Sequence, residues 1–229
     1  NVKGTPVMVY NPEGYARKDV VEAKVPFAKK PAGISVTGPD GKSCPAQLVS
    51  YENGCATILF CANVKPVSFS VFDVREASKN KGGSLKVSKN TIENGIYKIV
   101  LDGNGDISSI VDKRLGKELV QKGKAIRLAY FEKNESFRWP AWEIMKTTID
   151  AEPVSITENV KISIEEQGPV RATVKVERKK DGSVFVQYIS LTNGGYDDRI
   201  TVRNEVDWKS SGKLLKADFP LSFSNPKVT

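Results

Sequence analysis

Apolar and polar residues alternate with period two along most of this chain, and no stretch sustains the 3.6-residue period of an amphipathic helix. Thr5 to Tyr10 is an apolar run closed by Asn11-Pro12-Glu13-Gly14, a turn signal, and Asp19 to Val25 follows with Val and Ala spaced by polar residues. Ile34 to Thr37, Ala46 to Tyr51, Thr57 to Cys61 and Ser68 to Val74 complete a first set of about six short strands, separated by Gly38-Pro39-Asp40-Gly41, Asn53-Gly54 and similar turns. That spacing predicts a small β-sandwich over residues 1–76. Glu76 to Asn90 has little to bury, and residues 77–90 read as a linker.

From Thr91 onward the alternation returns in longer runs. Tyr97 to Leu101 and Ile107 to Asp112 flank the turn Asp102-Gly103-Asn104-Gly105-Asp106 and predict a hairpin. Val160, Ile162 and Ile164 alternate with polar residues, as do Ala172, Val174 and Val176. Asp181-Gly182 then turns the chain into Val184 to Leu191, and Ile200, Val202, Asn204 and Val206 alternate with Arg203, Glu205 and Asp207. The fold class expected is all-β, with residues 91–229 forming part of a large antiparallel β-sandwich.

Composition narrows the chemistry. The chain has no histidine, which removes a Ser-His-Asp hydrolase site and a His-ligated metal site from consideration. The net charge of +8 is spread along the sequence and mixed with Asp and Glu, so no nucleic-acid partner is expected. The densest basic cluster, Arg178-Lys179-Lys180, precedes Asp181-Gly182 and reads as an exposed hairpin tip. Apolar runs such as Ala56 to Ala62 fall far short of a membrane-spanning helix, and no membrane partner is expected. Cys55 and Cys61 are too far apart along one strand to bridge. Cys44 opposite Cys61, or three unpaired small buried residues, both fit the sequence, and the cysteines assign no compartment.

The segment Asn94-Gly95-Ile96-Tyr97-Lys98-Ile99-Val100-Leu101-Asp102, continued by Gly105-Asp106-Ile107-Ser108-Ser109-Ile110-Val111-Asp112-Lys113-Arg114-Leu115-Gly116-Lys117-Glu118-Leu119, resembles the opening of the large β-sandwich of glycoside hydrolase family 38 α-mannosidases. Three further segments agree in order: Met8 to Pro12 with Arg17 to Val21, Trp139 to Ile144, and Asp198 to Ile200 with Val206 to Trp208. The resemblance implies a retaining hydrolase of α-linked mannose. Its N-terminal catalytic domain carries zinc on His and Asp ligands and supplies a carboxylate nucleophile. On that reading the present chain is a piece of a longer polypeptide, beginning after the catalytic domain and ending within the large sandwich. It holds no catalytic residue and no cofactor of its own, and zinc belongs to the other domain. Its partners are then that catalytic domain and an α-mannoside or glycan substrate.

The residues nearest a sugar on this reading are Arg138, Trp139, Trp142 and Glu143. Indole faces pack on the C–H side of a pyranose, and Arg and Glu hydrogen-bond its hydroxyls. Pro140 stands where relatives tend to carry Asp, which removes one carboxylate. Two tryptophans packing a core or a domain interface explain the same residues. Asp207-Trp208 with Arg199 and Arg203 reads as the solvent face and capped end of a strand, and Asp102, Asn104 and Asp106 read as turn chemistry rather than a calcium loop. An independent carbohydrate-binding β-sandwich module is the alternative reading of the whole chain.

Overall fold

The structure, a computed structural model, describes residues 3–79 and 83–223. The reading of residues 80–82 as linker and of the tail from Ser224 as a point within the large sandwich falls outside the described residues. The chain is built from strands, as the alternation predicts, and the one α-helix among the described residues, α1 (Lys146–Asp150), is a single short turn.

The first seven strands are β1 (Thr5–Asn11), β2 (Arg17–Pro26), β3 (Gly33–Thr37), β4 (Ser43–Cys44), β5 (Ala46–Glu52), β6 (Cys55–Val64) and β7 (Ser68–Ala77). They form two antiparallel sheets, in the orders β1-β7-β3-β4 and β2-β6-β5. Between the sheets lie Val25, Ile34, Val36, Ile58, Phe60, Phe72 and Val74, contributed at every second position because side chains on a strand alternate in direction. Asn53 and Gly54 both take positive φ (52° and 76°), the backbone that a two-residue turn needs to match strand twist, and this turn joins β5 to β6.

β6 departs from simple alternation, being buried on both faces. One face (Ala56, Ile58, Phe60, Ala62) closes the small core, while the other (Leu59, Cys61) packs on Val170 with Val20, Val49 and Tyr196 around it. The run Ala56 to Ala62 is thus a strand covered on two sides, the burial that produces an unbroken apolar sequence. Cys44, Cys55 and Cys61 are all free thiols. Cys61 donates its backbone N–H to the Pro45 carbonyl at 3.0 Å, and burial pushes its thiol up to about 12, with the nearby Cys44 adding to the shift.

The remaining strands are β8 (Lys86–Ser88), β9 (Thr91–Glu93), β10 (Tyr97–Leu101), β11 (Ile107–Asp112), β12 (Lys117–Glu118), β13 (Arg127–Phe131), β14 (Val154–Ser155), β15 (Glu158–Gln167), β16 (Arg171–Lys180), β17 (Ser183–Thr192), β18 (Ile200–Asp207) and β19 (Leu214–Asp218). A five-stranded sheet in the order β12-β11-β10-β9-β8 faces a four-stranded sheet in the order β15-β16-β17-β18. Ile92, Ile99, Leu101, Ile107 and Ile110 from the first meet Ala172, Val174, Val176, Ile189 and Leu191 from the second. A third sheet, β14-β13-β19, extends the cover with Leu128, Tyr130 and Leu215 around Phe185.

Arg178 corrects the sequence reading: it is 1% exposed rather than part of a solvent-facing tip. It shares the inward parity of Ala172, Val174 and Val176, so the strand's pleat carries it into the interior. There its Nε donates to the Asn104 carbonyl at 2.7 Å, one terminal nitrogen reaches Asp106 Oδ1 at 2.8 Å, and the other hydrogen-bonds Gln187 Oε1. The β10–β11 turn is thereby pinned to β16. Gly105, at φ 75°, lies so close to Val176 that a Cβ there would overlap it and crowd the Arg178 guanidinium.

Candidate functional site

The segment between β13 and β14 carries all four sugar-proximal candidates. Ser136 organises it: its hydroxyl donates to Glu143 Oε2 at 2.9 Å and accepts the Trp139 N–H at 3.0 Å. The N–H groups of Trp142 and Glu143 both donate to the Trp139 carbonyl at 2.8 Å, closing a tight loop. The loop is tied back to the fold at Asn134, whose N–H donates to the Gly212 carbonyl at 2.8 Å and whose side-chain amide donates to the Pro140 carbonyl at 3.3 Å.

This arrangement puts the aromatic side chains outside. Trp142 is 88% exposed, Trp139 60% and Phe137 93%, and Ile144, Met145 and Ile149 are about half exposed. Trp139, Trp142 and Glu143 together border a hollow of about 380 Å³. Arg138 is exposed, with its guanidinium 6.0 Å from the Phe137 ring centroid. The structure therefore brings Trp139, Trp142 and Glu143 together and turns Arg138 toward Phe137. Neither indole fills the chain's own core, so packing in that core does not explain these tryptophans.

A second concavity, of about 500 Å³, runs between β2 and the outer face of the β15–β18 sheet. Its arginines are already paired. Arg171 binds Glu166 at 2.5 Å and Glu22 at 3.5 Å, and Arg199 binds Asp197 at 2.7 Å and Asp19 at 3.8 Å. The Tyr188 ring is capped by the Arg203 guanidinium, 4.0 Å from its centroid, so its face is not open to a sugar. Beneath the groove, buried Gln47 accepts the backbone N–H groups of Val170 (3.2 Å) and Arg171 (2.9 Å), joining the two sandwiches. This groove is a joint. Gln47 escaped the sequence reading, and its one available signal was a polar residue inside the apolar strand pattern of β5.

The remaining candidates are dispersed. Trp208 packs against Tyr130 and Phe185, with centroids 5.8 and 6.2 Å away, at the end of β18. Asp102 Oδ1 accepts the N–H groups of Asn104 (2.8 Å) and Asp106 (3.0 Å), the side-chain-to-backbone bonding of a tight turn. Among the described residues no group of three or more His, Cys, Asp or Glu side chains is placed to hold a metal ion. The same residues include no helix long and apolar enough to cross a membrane.

The fold and sequence together define a class. The family model described as "Glycosyl hydrolases family 38 C-terminal domain" matches residues 92–229, and the chain belongs to that family. Alpha-mannosidase G of Dictyostelium discoideum is 27% identical over 175 residues, covering 67% of this chain and 16% of that protein. Alpha-mannosidase 2C1 of Mus musculus is 23% identical over 140 residues, covering 61% of this chain and 13% of that protein. In fold, the chain is similar to the crystal structure of an alpha-mannosidase from Enterococcus faecalis V583, with a TM-score of 0.62 and 14% identity over 94% of this chain and 31% of that one. The chain thus spans a small fraction of the length of the relatives it matches.

Proposed function

We propose that this chain is the accessory, non-catalytic β region of a retaining α-mannosidase, working beside a catalytic domain carried by the rest of a longer polypeptide. The observation that carries the reading is the loop bearing Phe137, Trp139 and Trp142, which leaves large apolar side chains without cover. Contiguous exposed apolar surface of this kind marks contact with another macromolecule or a ligand. Arg138 and Glu143 give the loop a polar rim, which suits a surface that docks a domain and borders a glycan. Zinc and the nucleophilic carboxylate are assigned to the catalytic domain, in keeping with a chain that has no histidine. No chemical step is assigned to this chain. The test is hydrolysis of an aryl α-mannoside by the purified 229-residue chain with and without added zinc. No release is expected, and zinc-dependent release of mannose would overturn the proposal.

A second reading, an independent carbohydrate-binding module, draws on the hollow bordered by Trp139, Trp142 and Glu143. It requires saturable binding of mannose or an α-mannoside by the isolated chain.

A further inference from the structure

The small sandwich has two outer faces, and both carry apolar side chains. On the β2-β6-β5 sheet, Val20, Val49, Leu59 and Cys61 point outward and are covered by Val170 and Tyr196 of the large sandwich. On the other sheet, β1 sends Val7 and Val9 into the small core and Pro6, Met8 and Tyr10 away from it, while β7 sends Phe72 and Val74 in and Phe69 and Val71 out. The register sets Tyr10 beside Phe69 and Met8 beside Val71. The Tyr10 and Phe69 rings stack with centroids 4.4 Å apart, and Met8 and Phe69 are 67% and 61% exposed. Asn11, the last residue of β1, donates its side-chain amide to the carbonyls of Tyr15 (2.8 Å) and Lys65 (3.0 Å), which holds exposed Tyr15 and Val67 near the end of the same strand pair.

A sheet with one solvated face alternates apolar inward with polar outward residues. β6 breaks that alternation because it is covered on two sides, and the β1–β7 pair breaks it in the same way. The apolar area stops at Asp73, Arg75, Ser35 and Thr37, which form a polar border on β7 and β3. Where the chain enters the sheet selects the occupant. Asp73 accepts the N–H groups of Lys3 (3.2 Å) and Gly4 (2.8 Å), and Gly4 lies so tightly on β7 that a Cβ there would meet the Val74 carbonyl oxygen at 2.2 Å. The backbone leading into β1 is thereby held against the strand pair that carries the apolar face. A body preceding Lys3 in a longer polypeptide is tethered beside that face, at an effective concentration on the order of millimolar for a short connection, an advantage that a free partner or a second copy lacks.

We infer that the outer face of β1 and β7, centred on Met8, Tyr10, Phe69 and Val71, is a docking surface for the catalytic domain, so that the small sandwich is a middle layer between that domain and the large sandwich. The inference rests on the reading that this chain follows a catalytic domain in a longer polypeptide, and it adds to the loop after β13 a second contact, on the other sandwich. Contacts between domains of one chain bury ~600–1,500 Å² and combine an apolar centre with a polar border. The β1–β7 face has both parts.

The test is hydrogen peroxide footprinting of the full natural polypeptide, native and unfolded in urea, with sulfoxide formation at Met8 and Met145 read by mass spectrometry. The two methionines report separately, because Met8 lies on the β1–β7 face and Met145 follows the loop of Trp139 and Trp142. Met8 is expected to oxidise at least tenfold more slowly in the native protein than in the unfolded one, at every protein concentration. Phe69→Glu should raise Met8 oxidation at least tenfold and leave Met145 unchanged, the unchanged Met145 showing that the fold is retained. Native Met8 oxidised at the unfolded rate while Met145 is protected overturns the inference and leaves the proposed function standing. Protection of Met8 alone upholds the inference and removes the loop as a docking surface. Protection that fades on dilution assigns the face to a second copy and overturns the inference, as does Met8 protection indifferent to Phe69→Glu. A natural product no longer than this chain overturns the inference and the proposed function together.

Discussion

The joint between the two sandwiches and the loop that follows β13 differ in how their side chains are covered. At the joint, Leu59 and Cys61 pack on Val170, buried Gln47 satisfies two backbone N–H groups, and at the rim Arg171 and the exposed Arg199 each bridge acids from both sandwiches. The loop is apolar and open, with Phe137, Trp139 and Trp142 in solvent. Buried polar groups persist only when their partners are in place, whereas exposed indoles gain nothing from the chain that carries them. Removing a contact inside should therefore cost stability, while removing a side chain from the loop should cost only what it does for a partner.

The largest loss is expected inside the large sandwich, where the same logic applies to Arg178. Asp106→Ala strands a buried guanidinium that cannot release its proton, and about 3–5 kcal/mol of unfolding free energy should disappear in urea titrations. Arg178→Met should cost less, because the Asp106 left behind can take up a proton. Burial already pushes Asp106 up to about 6, the attraction of Arg178 opposing the shift. A carboxyl raised in the folded state stabilises the fold below its unfolded value and loses that contribution as pH rises through its folded value. Arg178→Met should accordingly become more stable on acidification from neutral pH, and stability measured at pH 7 and pH 5 checks this.

At the joint, Gln47→Ala leaves the N–H groups of Val170 and Arg171 without their acceptor, with an expected cost of about 1–3 kcal/mol. Hydrogen exchange at those two amides should accelerate ahead of the neighbouring strand interior, which separates loosening of the joint from global unfolding.

A smaller effect is expected where β1 begins. Asp73 accepts the N–H groups of Lys3 (3.2 Å) and Gly4 (2.8 Å) and is gripped by Arg75, whose hydrogen bond is the largest cause holding its carboxyl down to about 2. A lowered carboxyl contributes stability above its unfolded value, near 4, and loses it as pH falls toward 2. Carboxyl carbon shifts followed by NMR should place the Asp73 midpoint well below those of exposed aspartates, and Asp73→Asn should remove that part of the acid dependence. The smallest effect belongs to the loop: Trp142→Ala should leave stability within about 0.5 kcal/mol, as for surface substitutions that break no buried contact.

Much of this was legible in the sequence, because period-two alternation and turn residues act locally. The hairpins at Asn53-Gly54, at Gly103 to Gly105 and at Asp181-Gly182 follow from backbone conformations that few other residues take so readily. The burial of Arg178 was less apparent. Three consecutive basic residues beside a turn suggest solvent, yet strand parity sends the first of them inward, and only the partners Asp106, Asn104 and Gln187, contributed from other strands and turns, make that tolerable. The two-sided cover of β6 was written in the unbroken run Ala56 to Ala62, but what lies across its second face is set by Val170, more than a hundred residues away. Trp139 and Trp142 were conspicuous in sequence, whereas their projection into solvent depends on the Ser136 and Asn134 hydrogen bonds that shape the loop.

The claim that this loop is a docking surface rather than a self-sufficient sugar site is tested most directly by following the chain's tryptophan fluorescence during titration with mannose and α-mannosides. No saturable change is the predicted result. Saturable quenching at millimolar or lower sugar concentration, abolished by Trp142→Ala, would contradict it.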